Sequence, residues 1–181
     1  RIGFEKGDKY NSWNSEGYKR EFYKIAGSYF PNDNLKINLQ YRIRKENEWL
    51  IWTEDNKFGL YDSEQDTFSM GLNWFSGNKH EIRLKSQFVA LQADNPQSLI
   101  SDNAGYLYES DELIKPFAQG VVSFQVRYKY EIAPLSYLYL VYSKGGTSYD
   151  EDEDYSKSEI FNQPWNNPSD EVYSIKFRLK Y

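Results

Sequence analysis

His80 is the only histidine in the chain. An imidazole is a common general base near neutral pH, so its neighbours decide what it can do. It stands in Lys79-His80-Glu81, and no serine occupies a recognisable nucleophile motif. A hydrolase would need a Ser–His pair oriented by a third group. The absence of cysteine removes thiolate nucleophiles, thiolate zinc sites and disulfides. The run Asp150-Glu151-Asp152-Glu153-Asp154 could offer oxygen ligands to Ca²⁺. It lacks the glycine and the terminal glutamate spacing of an EF-hand loop. Like-charged runs are commonly solvated loops, and transient divalent bridging to lipopolysaccharide is the other use open to this one. No catalytic residue, cofactor or resident metal is expected.

The most chemically suggestive pattern is a ladder of ionisable residues. Arg42 and Arg44, Arg83 and Lys85, Arg127 and Lys129, and Lys176, Arg178 and Lys180 recur at a spacing of two. Glu81, Glu131, Gln40, Gln87 and Gln125 stand among them. On a strand, that spacing places each set on one face. Two uses are open. One is a cationic wall that guides anionic or polar solutes. The other is an ion-paired network that fills an interior or supports a plug.

Strands must carry this ladder. In VSFQVRYKYEI, Val122, Phe124, Val126, Tyr128, Tyr130 and Ile132 alternate with Ser123, Gln125, Arg127, Lys129 and Glu131. LKINLQYRIRK, TFSMGLNW, EIRLKSQF and the terminal SIKFRLKY repeat the pattern. A helix at 3.6 residues per turn would scatter these charges around its whole circumference. Eight strands are expected, over 1–6, 18–30, 35–49, 60–75, 80–92, 117–132, 137–146 and 170–181. Three connections are short and rich in turn formers: Pro31-Asn32-Asp33-Asn34, Ser76-Gly77-Asn78-Lys79 and Ala133-Pro134-Leu135-Ser136. The others, 7–17, 46–66, 94–115 and 146–169, are long and polar. The second of these could extend the flanking strands as 48–53 and 58–61 around a turn at 54–57.

Composition narrows the fold class. The apolar fraction is 39%, below the roughly 45–50% of a soluble globular domain. Aromatic residues reach 18%, which excludes ordinary disorder. The net charge of −5, from 22 basic and 27 acidic residues, gives no basic footprint for nucleic acid. There is no apolar run long enough for a membrane helix. Low hydropathy with many aromatics suits a transmembrane β-barrel, whose strands are apolar outside, polar inside and girdled by aromatics. Tyr29, Phe30, Trp74, Phe75, Tyr128, Tyr130 and Tyr137 lie by the short turns. Tyr18, Trp49, Trp52, Tyr106, Tyr108 and Tyr142 lie by the long loops. A soluble sandwich shows similar alternation. It does not explain short and long loops in strict alternation, or inward charges that need water or partners.

The expected fold is therefore an all-β, up-and-down antiparallel transmembrane barrel spanning 1–181 as one region. Short turns and the C-terminus would face the periplasm, and long loops the exterior. The chain opens directly on a strand, without an initiator Met or a signal peptide, and reads as a piece of a longer precursor. The final strand places Ile175, Phe177, Leu179 and Tyr181 on one face. That pattern suits an assembly signal recognised by strand addition at the barrel-assembly machinery. Among the aromatics, Tyr10, Trp13 and Trp165 fall in expected loops and are the candidates for ligand contact.

The blocks REFYKIAGSYFPNDNLKINLQYRIRKENEWLIW, NWFSGNKHEIRLKSQF and FQVRYKYEIAPLSYLYLVYSKGG resemble the C-terminal region of a Bacteroidota outer-membrane protein family. That family joins an N-terminal family-9 carbohydrate-binding-like domain to a long barrel region of unassigned function. The resemblance is strongest at 20–52, 72–90 and 122–146. It implies the C-terminal part of a larger barrel, with outer-membrane lipid, lipopolysaccharide and other outer-membrane subunits as partners. The carbohydrate-binding-like domain is absent from this chain, so no glycan site carries over.

Overall fold

The computed structural model describes residues 2–10, 19–151 and 156–180. These form strands β1 (Ile2–Tyr10), β2 (Lys19–Asn32), β3 (Leu35–Glu54), β4 (Lys57–Ser76) and β5 (His80–Ser101). There follow β6 (Leu107–Glu109), β7 (Phe117–Ala133), β8 (Ser136–Asp150), helix α1 (Lys157–Asn166) and β9 (Asp170–Arg178). Eight of the strands form one antiparallel meander, β1-β2-β3-β4-β5-β7-β8-β9, and β6 adds to the far end of β5. The sheet is not closed: β1 and β9 are its edges. No second sheet faces it among the described residues.

The short turns fix the register. Asn32 Oδ1 accepts from the Asn34 backbone N–H at 3.0 Å, a local bond that bends the β2–β3 connection. Gly77, at φ 55°, supplies the left-handed residue of the β4–β5 turn. Past the irregularities at Tyr29/Asn32 and Glu131/Ala133 beside the turns, the pairing holds one register across the sheet up to the bulges of the long hairpins. Ile25, Tyr41, Phe68, Phe88, Val122 and Gly146 form one cross-strand row. The adjacent row, on the opposite face, is Lys24, Arg42, Thr67, Val89, Val121 and Thr147.

The polar face is concave. Gly3, Ser28, Gln40, Ser69, Gln87 and Gln125, from six neighbouring strands, border one trough of about 890 Å³. Strands sit about 4.8 Å apart, so a flat sheet could not bring its first and sixth members to one cavity. The opposite, convex face is apolar and largely uncovered: Ile25 is 52% exposed, Leu39 46%, Ile175 68% and Phe177 62%.

Two expectations are corrected. The 94–115 tract is not all loop, because β5 continues to Ser101 and β6 pairs with it. By contrast, the hairpin extension around 54–57 forms as expected, making β3 and β4 20 residues each. A bulge conceals the continuation of β5 in the sequence. The register shifts between Glu46 and Trp49 and between Leu60 and Asp62, with Glu48 and Asn95 at positive φ. Each inserted residue interrupts period-two alternation.

The second correction is α1, within the connection expected at 146–169. Ser156 and Glu159 form a reciprocal capping box at its start. Ile160 and Pro164 are buried, one helical turn apart. Ile160 packs on Ala90 and Ala118 on the convex face. Trp165, expected in a loop, instead lies in this helix between Phe88 and Phe124, with ring centroids at 6.1 and 5.6 Å, and with Lys144 Nζ 4.6 Å from its ring. Ten residues with an internal proline are too few to announce themselves as a helix by periodicity.

Small side chains make the seat. A Cβ on Gly146 would stand 2.2 Å from the Pro164 carbonyl oxygen, and one on Gly120 2.2 Å from that of Ile160. Charge holds the helix start: Lys157 pairs with Glu64 and with Asp66 at 2.6 Å, and Lys45 reaches Glu64 at 2.7 Å. Gly146→Val should therefore undock α1 while leaving the sheet paired. The cost of such overpacking is about 1–3 kcal/mol, and hydrogen exchange at 157–166 should rise while exchange in β3–β5 stays unchanged.

Docking should also respond to acid. Burial acts to raise the Glu64 carboxyl, but hydrogen bonds from Lys157 and Lys45 outweigh it and hold the group below the ordinary carboxylate value. Burial acts to lower Lys157, yet Asp66 and Glu64 leave its ammonium raised. The Glu64 contribution is complete above its unfolded pKa of about 4.3 and is lost as pH falls through its depressed folded value. The Lys157 contribution is present throughout that range and disappears only in strong alkali. Protection at 157–166, taken as the exchange rate relative to the intrinsic rate at each pH, should fall below about pH 4, and a protection profile flat from pH 7 to 3 would contradict this anchoring.

Candidate functional site

The alternating register carries the ladder to the concave face as a set of layers. Nearest the short turns lie Glu81, Lys129, Tyr139 and Lys176 in one row and Arg83 and Arg127 in the next. Glu81 is the centre of this layer, with its side chain only 12% exposed. It pairs with Arg83, and its oxygens lie 3.8 Å from Arg127 and from Lys129. Lys129 also lies 4.3 Å from the centroid of the Tyr137 ring. One carboxylate thus balances several cations in a half-enclosed place, and this layer is the ion-paired network.

The middle layer is uncharged except for Lys85. Ser28, Asn38, Gln40, Ser69, Gln87, Ser123 and Gln125 line the trough with hydroxyls and amides. Ser28 Oγ donates to Asn38 Oδ1 at 2.8 Å. Gly71 keeps the floor open, because nothing larger than a hydrogen projects from it there.

The third layer lies toward the long hairpins. Arg20 makes a two-pronged bond to Glu46, at 2.6 and 2.7 Å, and Glu46 is 2% exposed. Such paired geometry is among the stronger charge-assisted contacts. Arg42 faces Thr67 across β3 and β4, and Arg44 faces Gln65. Above them Tyr61 packs edge-on to Phe117 at 5.3 Å, Phe117 stacks on Tyr149 at 5.4 Å, and Trp49 lies 6.3 Å from Phe117.

The expected site residues therefore divide. Glu81, Arg83, Arg127 and Lys129 are brought together. Arg42, Lys85, Lys176 and Arg178 form no ion pair among the described residues, and Gln125 borders the trough. Glu131 stands at the short-turn rim, opposite Tyr137. Ile175 and Phe177 lie on the convex face, and Leu179 just beyond β9 is exposed. Tyr181 lies outside the described residues, as do Trp13, Asp152, Glu153, Asp154 and the side chain of Tyr10.

His80 is on the convex face. Its Nδ1 is 2.7 Å from the Tyr128 hydroxyl, and its ring stacks on Tyr130 at 4.9 Å. That is an aromatic corner by a short turn, away from the trough. No group of three or more potential metal ligands occurs among the described residues. The Arg20–Glu46 pair, Thr67, Gln65 and the aromatic cluster were not anticipated. Only cross-strand register brings them together, and a single strand's pattern does not contain it.

Glu81→Gln keeps the shape of the lower layer and removes its charge. Three cations would then face one another in a half-enclosed space, at a cost of about 1–3 kcal/mol after allowance for partial solvation. The thermal midpoint of the folded protein should fall, and added salt should recover part of the loss. An unchanged midpoint at low salt would remove the network from the account of stability. Compared with protein-family models, with curated proteins and with solved structures, the chain matches none.

Proposed function

We propose that this chain is part of the wall of an outer-membrane β-barrel, with its concave face forming an aqueous lumen that passes or binds polar solutes. The observation that carries this reading is the division between the faces. Contiguous rows of exposed Ile, Leu, Phe and Tyr would be an aggregation hazard in water and are the expected lipid contact of a barrel. The apolar band is bounded on both sides. Trp74, His80, Tyr128 and Tyr130 stand by the short turns. Lys45, Glu64, Asp66 and Lys157 stand at the other limit. Between them lie about nine to eleven residues per strand, the length of a tilted membrane strand. Helix α1 sits at that upper limit, where a short amphipathic helix suits the headgroup level.

In lipid, the unpaired N–H and C=O groups of β1 and β9 must find partners. Our reading is that further strands of a longer chain complete the barrel, in keeping with the family resemblance, which rests on the sequence blocks alone. The edge strand β9, with Ile175, Phe177 and Leu179, would present the assembly signal. Long hairpins would face outward and short turns the periplasm. A second reading, a non-conducting anchor or complex subunit, is favoured by the aromatic cluster at one end of the trough and the Glu81 network at the other. Both narrow the passage.

Reconstitution tests the main reading. The full chain should float with liposomes, resist alkaline extraction and migrate differently before and after boiling. Leu84→Arg on the convex face should abolish insertion, since a midplane arginine costs roughly 2–4 kcal/mol, whereas Lys85→Gln on the concave face should not. A chain that stays in solution without detergent would overturn the proposal. Stepwise currents across a planar bilayer would favour the pore, and silence from inserted protein the anchor.

A further inference from the structure

We infer that the third layer of the concave face binds one carboxylate of a hydroxyl-rich solute, of the sugar-acid class. This deepens the proposed lumen and rests on that reading only for how the solute arrives. The first observation is a group of unmet bonds. Thr67 is 3% exposed, and its Oγ1 has no hydrogen-bond partner. Arg44 Nε and Gln65 Oε1 are likewise buried without partners. A buried polar atom left unpaired is costly, so three together in one place call for something that completes them. They are not scattered: Arg44 and Gln65 are direct cross-strand neighbours, and Thr67 faces Arg42 one pair further along the same ladder.

The second observation is charge. Arg20 is committed to Glu46, but Arg42 has no acidic partner among the described residues. The local sum is therefore positive, in a chain whose net charge is −5. Guanidinium groups present forked donors that match an oxyanion. Arg42, the Arg44 Nε–H and the Thr67 hydroxyl supply donors, and Gln65 Oε1 supplies an acceptor for a hydroxyl of the ligand.

The third observation is the adjoining space. The trough begins at Gln40 and Ser69, the residues two before Arg42 and two after Thr67. Its volume of about 890 Å³ lies within the usual range for small-molecule sites. Amides and hydroxyls donate and accept without demanding charge, which suits a chain of ligand hydroxyls. Arg42 and Arg44, with Lys24 beside Arg42 on β2 and neutral Thr67 and Gln65 opposite them on β4, fit a single carboxylate better than a polyphosphate or nucleic acid, whose binding uses many basic contacts.

Binding is measured on the folded full chain in whichever phase it occupies, detergent, liposome or solution. A failure to insert therefore counts against the proposed function and still leaves this site tested. The probes are a galacturonate trisaccharide, a neutral galactose trisaccharide and sulfate. The acidic trisaccharide should bind at least about tenfold more tightly than the neutral one. Thr67→Val and Arg42→Gln should each weaken it by about tenfold or more, with the same heat-modifiable fold as the parent. Lys176→Gln, in the distant layer, should leave it unchanged. Equal binding of the neutral sugar, sulfate binding as tightly as the trisaccharide, no binding by folded protein, or indifference to Thr67→Val would each overturn the inference.

Discussion

One register, shared from β2 to β8 between the turn-side irregularities at Tyr29/Asn32 and Glu131/Ala133 and the bulges of the long hairpins, is the constraint on which the rest of the molecule depends. Side chains alternate with period two, so a shift of one residue would exchange the faces of a strand. Arg42, Arg83 and Arg127 would then lie on the convex face, and Tyr41, Leu84 and Val126 in the trough. No single turn could hold this by strength. It is held because each short connection and each adjacent pair favours the same alignment, and any slipped strand would place charges among the exposed aliphatic rows. The Glu81 network and the seat of α1 are both consequences, because their members come from separate strands that meet only in this alignment.

The bulges then separate two regions with different tasks. Below Glu48 and Asn95 the sheet keeps strict alternation. Above them the long β3–β4 hairpin and the β5–β6 pair continue with changed facing. That change lets Trp49 and Tyr61 turn toward Phe117 and close one end of the trough. Tyr61 also folds over Gly59, where a Cβ would come within 2.5 Å of its ring. Such a region has its own aromatic packing and depends less on the environment of the apolar band.

Much of the sheet was legible because its chemistry is written at a spacing of two. The eight meander strands, the short turns and the placement of Arg42, Glu81, Arg83, Gln125, Arg127 and Lys129 on one face all follow from alternation and turn residues. Three features were not legible, each for a physical reason. Helix α1 is stabilised by its seat of Ala90, Ala118, Gly120 and Gly146, and those residues read locally as weak strand formers. The extension of β5 and its pairing with β6 were masked by an inserted residue that breaks the period. The partners of the ladder were hidden because Glu81 gathers cations from two strands and Arg20 finds Glu46 across a hairpin. Alternation tells which face a side chain occupies, and not which neighbour neutralises it.

The charge on the two ends of the molecule carries a further implication. Acidic groups concentrate toward the long hairpins, where Asp94 is pushed above the ordinary carboxylate value by burial and then by Asp62 and Glu64. The concave face runs the other way, with cations in excess. A cation in a half-enclosed place is stable only if an anion, ordered water or a solute answers it. In the lower layer Glu81 gives that answer from within the fold, so the cations there can serve as structure. Glu46, the acid near Arg44, is already bound by Arg20, and across the ladder to β4 the two arginines Arg42 and Arg44 meet the neutral Thr67 and Gln65. Their charge faces hydroxyls and amides that could have been acids and are not. The neutral residues at those positions leave the two arginines without a facing carboxylate.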